Sequence, residues 1–186
     1  MSKQDLGTRS GLPDTLRILM QEFPRAHWQT HANFGGMVQF WLQRHLMFRD
    51  LLDRLQTETR ARFDNATSHD KFAPRLSRLG GMFLQELHGH HQIEDTHYFP
   101  QLIGLDQRLE RGFDILDSDH HAIDGLLNGF AEAANAVLNA DGDIAQHDAT
   151  GRLTESLDGF QTLLDRHLVD EEELIVPVIL KTGFSG

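Results

Sequence analysis

The chain has 186 residues, of which 39% are hydrophobic, and carries a formal net charge of −11; that length suits one domain with its own core. Cysteine is absent, which excludes disulfides, iron–sulfur clusters, thiolate zinc sites and cysteine nucleophiles together. An acidic surface repels phosphate backbones and anionic lipid, so neither nucleic acid nor a membrane is an expected partner.

Residues 1–13 are polar and hold no apolar core segment, so no signal peptide is expected. The longest apolar run, 174–180, is interrupted by Pro177 and is too short to span a bilayer. A soluble cytoplasmic protein is the expectation. Histidine is the unusual component: twelve residues, against one Tyr and two Trp. They are spread along the chain rather than gathered in a terminal tail, with a dense patch at 88–97.

In chain order, Leu16, Ile18, Leu19 and Phe23 suggest a short helix after Pro13, ended by Pro24. Gly35 and Gly36 punctuate the chain, dividing an N-terminal extension, 1–34, from a domain at 35–183. A first long helix is expected over 37–60, with Val38, Trp41, Leu42, His45, Phe48, Leu51, Leu52 and Leu55 recurring at steps of three and four. A second is expected over 72–99, with Leu76, Leu79, Phe83, Leu87, His90, Glu94 and Tyr98 on one face, and Pro100 kinking or stopping it. The third covers 107–138, with Leu109, Phe113, Leu116, His120, Ile123, Leu127 and Phe130 in a stripe. After an Asp141-Gly142-Asp143 loop, the fourth covers 150–180, with Leu153, Leu157, Phe160, Leu164, His167, Glu171 and Ile175. Period-two alternation is nowhere sustained. The expected fold class is all-α, an up-down-up-down four-helix bundle with a short N-terminal helical extension.

Each long helix places one histidine on its apolar stripe: His45, His90, His120 and His167. One such histidine is ordinarily a satisfied core residue. Four of them bury eight ring nitrogens that need partners, and a metal removes the difficulty by accepting a nitrogen from each. Glu94 and Glu171 follow His90 and His167 by four residues, one turn along the same face. Carboxylates buried there stay ionised beside a dication. Imidazole and carboxylate without thiolate suit iron or manganese, and zinc less selectively.

The motifs His90-His91-Gln92-Ile93-Glu94-Asp95 with Phe99-Pro100, and His167-Leu168-Val169-Asp170-Glu171-Glu172-Glu173 with Pro177, resemble the second- and fourth-helix signatures of hemerythrin-like (HHE-type) domains. Arg44–Arg49 and Asp119–Asp124 resemble the first- and third-helix ligand segments, and the four occur in the family's order. The resemblance implies a di-iron centre with an oxo or hydroxo bridge, with dioxygen or a related small diatomic as the partner. Carried over residue by residue, it makes His45, His90, Glu94, His120, His167 and Glu171 the ligands. Two departures stand. Oxygen carriers use an HxxxH pair on the third helix, and the position four before His120 is Leu116; water, His91 or His121 is left to fill that place. Carriers take a fourth-helix carboxylate five residues after the histidine, which is Glu172; Glu171 aligns better with the helix face and is preferred.

Glu94-Asp95-Thr96-His97 also matches the ExxH pair of ferritin-like bundles, but the first long helix offers no matching inward glutamate. His88, His91, His97 and His121 are expected to be exposed or beside the ligands, Asp119, Asp165 and Asp170 to be solvated, and Phe40, Trp41, Phe48, Phe83, Tyr98 and Phe113 to be core. His27, His31, His69 and His147 receive no role. With no phosphate loop, HExxH or GxSxG motif, the leading functional expectation is a di-iron protein that binds or senses a diatomic. The alternatives are a di-iron redox enzyme acting on peroxide, nitric oxide or dioxygen, and iron storage or sensing.

Overall fold

A computed structural model describes residues 5–186. Among these residues every regular element is helical and no strand occurs. The long elements are α1 (Gly36–Phe63), α2 (His69–Ile93), α4 (Glu110–Leu138) and α5 (Asp143–Thr182), with a short α3 (Phe99–Leu105) before α4. Two 3-10 turns, Ile18–Met20 and Arg25–Thr30, precede α1. Pro24 therefore does more than end the first turn: it is the extended N-cap residue of the second.

Local chemistry sets the ends. Asn65, at φ 58°, closes α1 in the left-handed conformation, following a last turn that carries Arg60 and Arg62 against the helix dipole. Gly142, at φ 83°, makes the bend before α5, and Asp143 lies in that helix's first turn. The helix thus begins seven residues before the expected 150. Pro100 does not stop the second helix. The chain passes from α2 into a π-helical turn, Glu94–Tyr98, where Phe99 N–H donates to the Glu94 carbonyl, and then into α3 with Pro100 in its first turn. A proline is tolerated in a first helical turn, where its fixed φ suits the helix.

The chain forms two compact units. One takes the chain up to Leu46, His90–Ala122 and Leu164–Gly186. Its core gathers Leu12, Leu16, Leu19 and Trp28 from before α1 with Val38, Trp41, Phe99, Leu102, Phe113, Leu116, Ile175 and Ile179. The segment preceding α1 is therefore built into this core. The other unit takes Met47–Gly89 and Ile123–Leu163. Phe83, fully buried, sits edge-on to Phe130 and Phe160 at 5.9 and 5.3 Å between ring centroids. Phe48, Leu52, Leu55, Phe72, Leu153 and Leu157 are buried in the same unit, as heptad-like apolar spacing requires.

Candidate metal centre

The polar heart lies wholly within the first unit. On α1, Trp41 and His45 are one turn apart and so share a face. The end of α2 delivers His90 and His91, and the π turn opens on Glu94. A π turn carries more residues per turn than an α-helix and often marks a functional site. On α4 stand Asp119 and His120; on α5 stand His167, Asp170, Glu171 and Glu172. All ten polar residues are buried, with His45, Glu94, His167, Asp170 and Glu171 at 0% exposure. Such groups need partners inside the protein or a bound ion.

The donors fall into two groups. One holds His45, His90, Glu94 and Glu171; the other holds His91, His120 and His167, and within each group the candidate donor atoms lie within 4.8 Å of one another. Both glutamates face both groups. Glu94 presents Oε1 to His90 Nε2 at 2.9 Å and Oε2 to His120 Nε2 at 3.5 Å. Glu171 presents Oε1 to His45 Nε2 at 3.4 Å and Oε2 to His167 Nε2 at 3.3 Å. Trp41 Nε1 donates to Glu171 Oε1 at 2.5 Å, fixing that carboxylate from behind. His91 stacks on His120 with centroids 4.0 Å apart and planes 10° from parallel, while Phe99 stacks on the same imidazole at 5.4 Å.

Three imidazoles have the Nδ1 side tied to a carboxylate. His45 Nδ1 meets Glu172 at 3.1 Å, His120 Nδ1 meets Asp95 at 2.7 Å, and His167 Nδ1 meets Asp119 at 3.2 Å. The Nε2 atoms of the same three rings are buried and make no hydrogen bond of normal geometry, and neither do both ring nitrogens of His91. A carboxylate on Nδ1 keeps a proton on that nitrogen, so that Nε2, directed inward, is the one to give up its proton to a metal, the arrangement typical of a metal-bound histidine. The residues present therefore fit a cation, and the nitrogen-and-oxygen donor set suits iron, manganese or zinc.

Side-chain charges divide the cluster. Burial opposes the charged imidazolium of His167, but Asp119 and Glu171 outweigh it and raise the group from 6.5 to about 9. His45 is raised for the same reason by Glu171 and Glu172, against the cost of burial. Glu171, which burial would push up, is held well below the carboxylate range by His45 and His167. Glu94 goes the other way: burial, then the charge of Glu171, raise it well above its ordinary value. Burial lowers His90 to about 3 and carries His91 well below its usual value, in each case aided by neighbouring imidazoliums. Two carboxylates in one cavity are thus shifted in opposite directions, Glu94 by burial and its acidic neighbour and Glu171 by the imidazoles that face it.

All six residues anticipated from the sequence, His45, His90, Glu94, His120, His167 and Glu171, come together. His91, anticipated as exposed or beside the ligands and also as one filler for the place left by Leu116, is 2% exposed and faces inward with His120 and His167. Its side chain enters the cavity because the rings of neighbouring helices surround the end of α2, so two consecutive positions both look onto the cluster. His88, His97 and His121 are exposed, and His121 Nδ1 turns back to the Asp117 carbonyl at 2.8 Å. Glu172 binds His45 Nδ1 and Arg25 rather than pointing among the Nε2 atoms. Asp119 and Asp170 are not solvated as anticipated; both are buried against Arg9, a partner more than a hundred residues away that local pattern cannot reveal. Phe40, read as core, is 51% exposed.

The model of the hemerythrin HHE cation binding domain family matches residues 36–179. No curated protein and no solved structure matches the chain.

Proposed function

Because the chain belongs to the hemerythrin HHE cation-binding domain family, we propose that it is a non-haem di-iron protein that binds or senses dioxygen or a related small diatomic. In this reading α1, α2, α4 and α5 are the family's four up-down-up-down helices. One observation carries the proposal: buried imidazole Nε2 atoms in two groups, with each of two glutamates facing both groups. Two carboxylates so placed suit a pair of ions better than one. His45, His90, Glu94 and Glu171 would hold one iron, and His91, His120 and His167, with the far oxygens of the two glutamates, the other. Manganese and zinc satisfy the same donors less distinctively.

Bound iron would supply an open position and the electrons needed to capture a diatomic. The chain supplies the rest. Asp95, Asp119 and Glu172 fix three rings by their Nδ1 atoms, Trp41 pins Glu171, and Phe99 covers His120, keeping bulk water from the cluster. His91 favours binding over turnover. Leu116 leaves a gap in the carriers' histidine pattern, and His91, which comes in from α2 beside His120 and His167, would supply a fifth imidazole there. The test is metal content with optical spectra of the reduced protein under nitrogen, then after oxygen and its removal. About two irons per chain with a reversible charge-transfer band supports the reading. Two irons that oxidise irreversibly favour the redox enzyme, and a chain that takes up no iron refutes the proposal.

A further inference from the structure

Residues 5–35 lie outside the span matched by the family, yet two of their arginines reach the carboxylates that hold metal-facing histidines. Arg9 pairs with Asp119 through both terminal nitrogens and with Asp170 through Nε at 2.8 Å. Asp119 in turn holds His167 Nδ1. Arg25 donates to Glu172 Oε2 at 2.7 Å, and the other oxygen of Glu172 holds His45 Nδ1 at 3.1 Å. His167 belongs to one donor group and His45 to the other. The segment therefore contributes one arginine–carboxylate–imidazole chain to each group.

The segment is also fastened along its length. Leu12 N–H donates to Asp170 Oδ1 at 3.1 Å, and Arg166 donates to the Ser10 carbonyl at 2.5 Å. Leu12, Leu16, Leu19 and Trp28 are buried in the core of the same unit, and Arg25 lies over the Trp28 ring at 4.7 Å. Planar guanidinium forks fix a carboxylate in orientation as well as charge. A carboxylate so fixed holds its imidazole's tautomer and tilt, which governs how well Nε2 grips a metal.

We propose that the segment before α1 is a positioning strap for the metal centre, in which Arg9 acts on His167 through Asp119 and Arg25 acts on His45 through Glu172. The proposal rests on the di-iron reading above. Arg17 provides an internal control: it joins the same segment to α5 through Glu173 at 2.6 Å, but Glu173 holds no histidine.

The experiment uses the full chain loaded with iron and follows its loss to a colorimetric chelator, together with the optical spectrum. Arg25 is 47% exposed at its side chain, so Arg25→Gln should fold, as an unchanged far-ultraviolet circular dichroism spectrum would check; it should speed loss of one iron at least about tenfold and shift the absorption band. Arg25→Lys should recover part of both. Arg9→Lys, which keeps charge but not the fork, should speed loss of the other iron. Arg17→Gln should match wild type. Should Arg25→Gln and Arg9→Lys release both irons at the wild-type rate with an unchanged spectrum, the strap is refuted while the di-iron reading stands. Equal acceleration by Arg17→Gln would also refute it, reducing the segment to general packing. A wild-type chain that holds no iron would overturn the di-iron reading, and the strap with it.

Discussion

Metal uptake should release protons, and His167 sets the minimum. With its pKa raised to about 9 by Asp119 and Glu171 against burial, this ring is almost wholly protonated near neutral pH in protein stripped of metal. A ligating imidazole must be neutral at the donor nitrogen, so binding there expels about one proton. Glu94, raised well above the carboxylate range by burial and Glu171, and His45, raised by Glu171 and Glu172 against burial, add to that number. His90 and His91, already held neutral by burial, add nothing. For a pKa of about 9, the fraction of neutral His167 grows about thirty-fold between pH 6.5 and 8, so apparent affinity should rise by at least about that factor. Calorimetric titration of stripped protein with a divalent cation, repeated in buffers of different ionisation enthalpy, counts the protons directly. Uptake of metal with no proton release, and an affinity flat across that range, would show that Nε2 of His167 is not a donor or that its imidazolium is not stabilised as the geometry requires.

His91→Leu should lower bound metal from about two ions per chain to about one, while His121→Leu, at a ring turned to solvent, should leave it unchanged; elemental analysis decides. Stripped protein should lose stability on both sides of neutrality. The contribution of His167 is complete below about 6.5 and lost as pH rises through about 9, whereas that of Glu171, whose pKa is depressed, is present above about 4.5 and lost as pH falls; thermal melts across pH read both flanks, and loaded protein should lack the alkaline decline due to His167. Phe83→Ala, between Phe130 and Phe160, should cost about 3–5 kcal/mol, seen as a large fall in melting temperature. Arg60→Ala, breaking an exposed pair with Asp158, should cost less than about 1 kcal/mol by the same measurement.

The long helices were legible because their apolar residues recur with the helical period and their boundaries carry chemical signals. What escaped had a physical reason in each case. The first turns of α5 hold Ile144, which is 81% exposed, and turn Gln146, His147 and the small Ala149 inward, so residues 143–149 show no apolar stripe and only Asp143 marks the start. The π turn at Glu94–Tyr98 is invisible to a period-3.6 reading, and Pro100 beyond it draws attention as a breaker although it occupies a first-turn position that tolerates it. The segment before α1 reads as a loose extension because its apolar residues are sparse; it is held instead by a few deeply buried anchors and by arginines whose partners lie on α4 and α5.

The site divides along the same line. Residues one turn apart on a stripe, such as His90 and Glu94 or His167 and Glu171, announce themselves, because the helix alone brings them together. His91 was legible only as one of three fillers for the place left by Leu116, because a step of about 100° on an isolated helix points away from the stripe. A cavity walled by several helices accepts side chains from a wider arc than a flat core face does, and stacking on His120 holds His91 in that arc. Asp119, Asp170 and Glu172 were harder still, since only tertiary partners distinguish a buried carboxylate that holds a ring or an arginine from a solvated one. Each sits next in sequence to an inward-facing ligand candidate, His120 or Glu171. The neighbouring position on a helix wall naturally reaches behind the ring on the adjacent helix. In this chain two of the three make an outer hydrogen bond to another helix's histidine, His167 on Asp119 and His45 on Glu172, whereas Asp170 is taken by Arg9, Arg166 and the Leu12 amide.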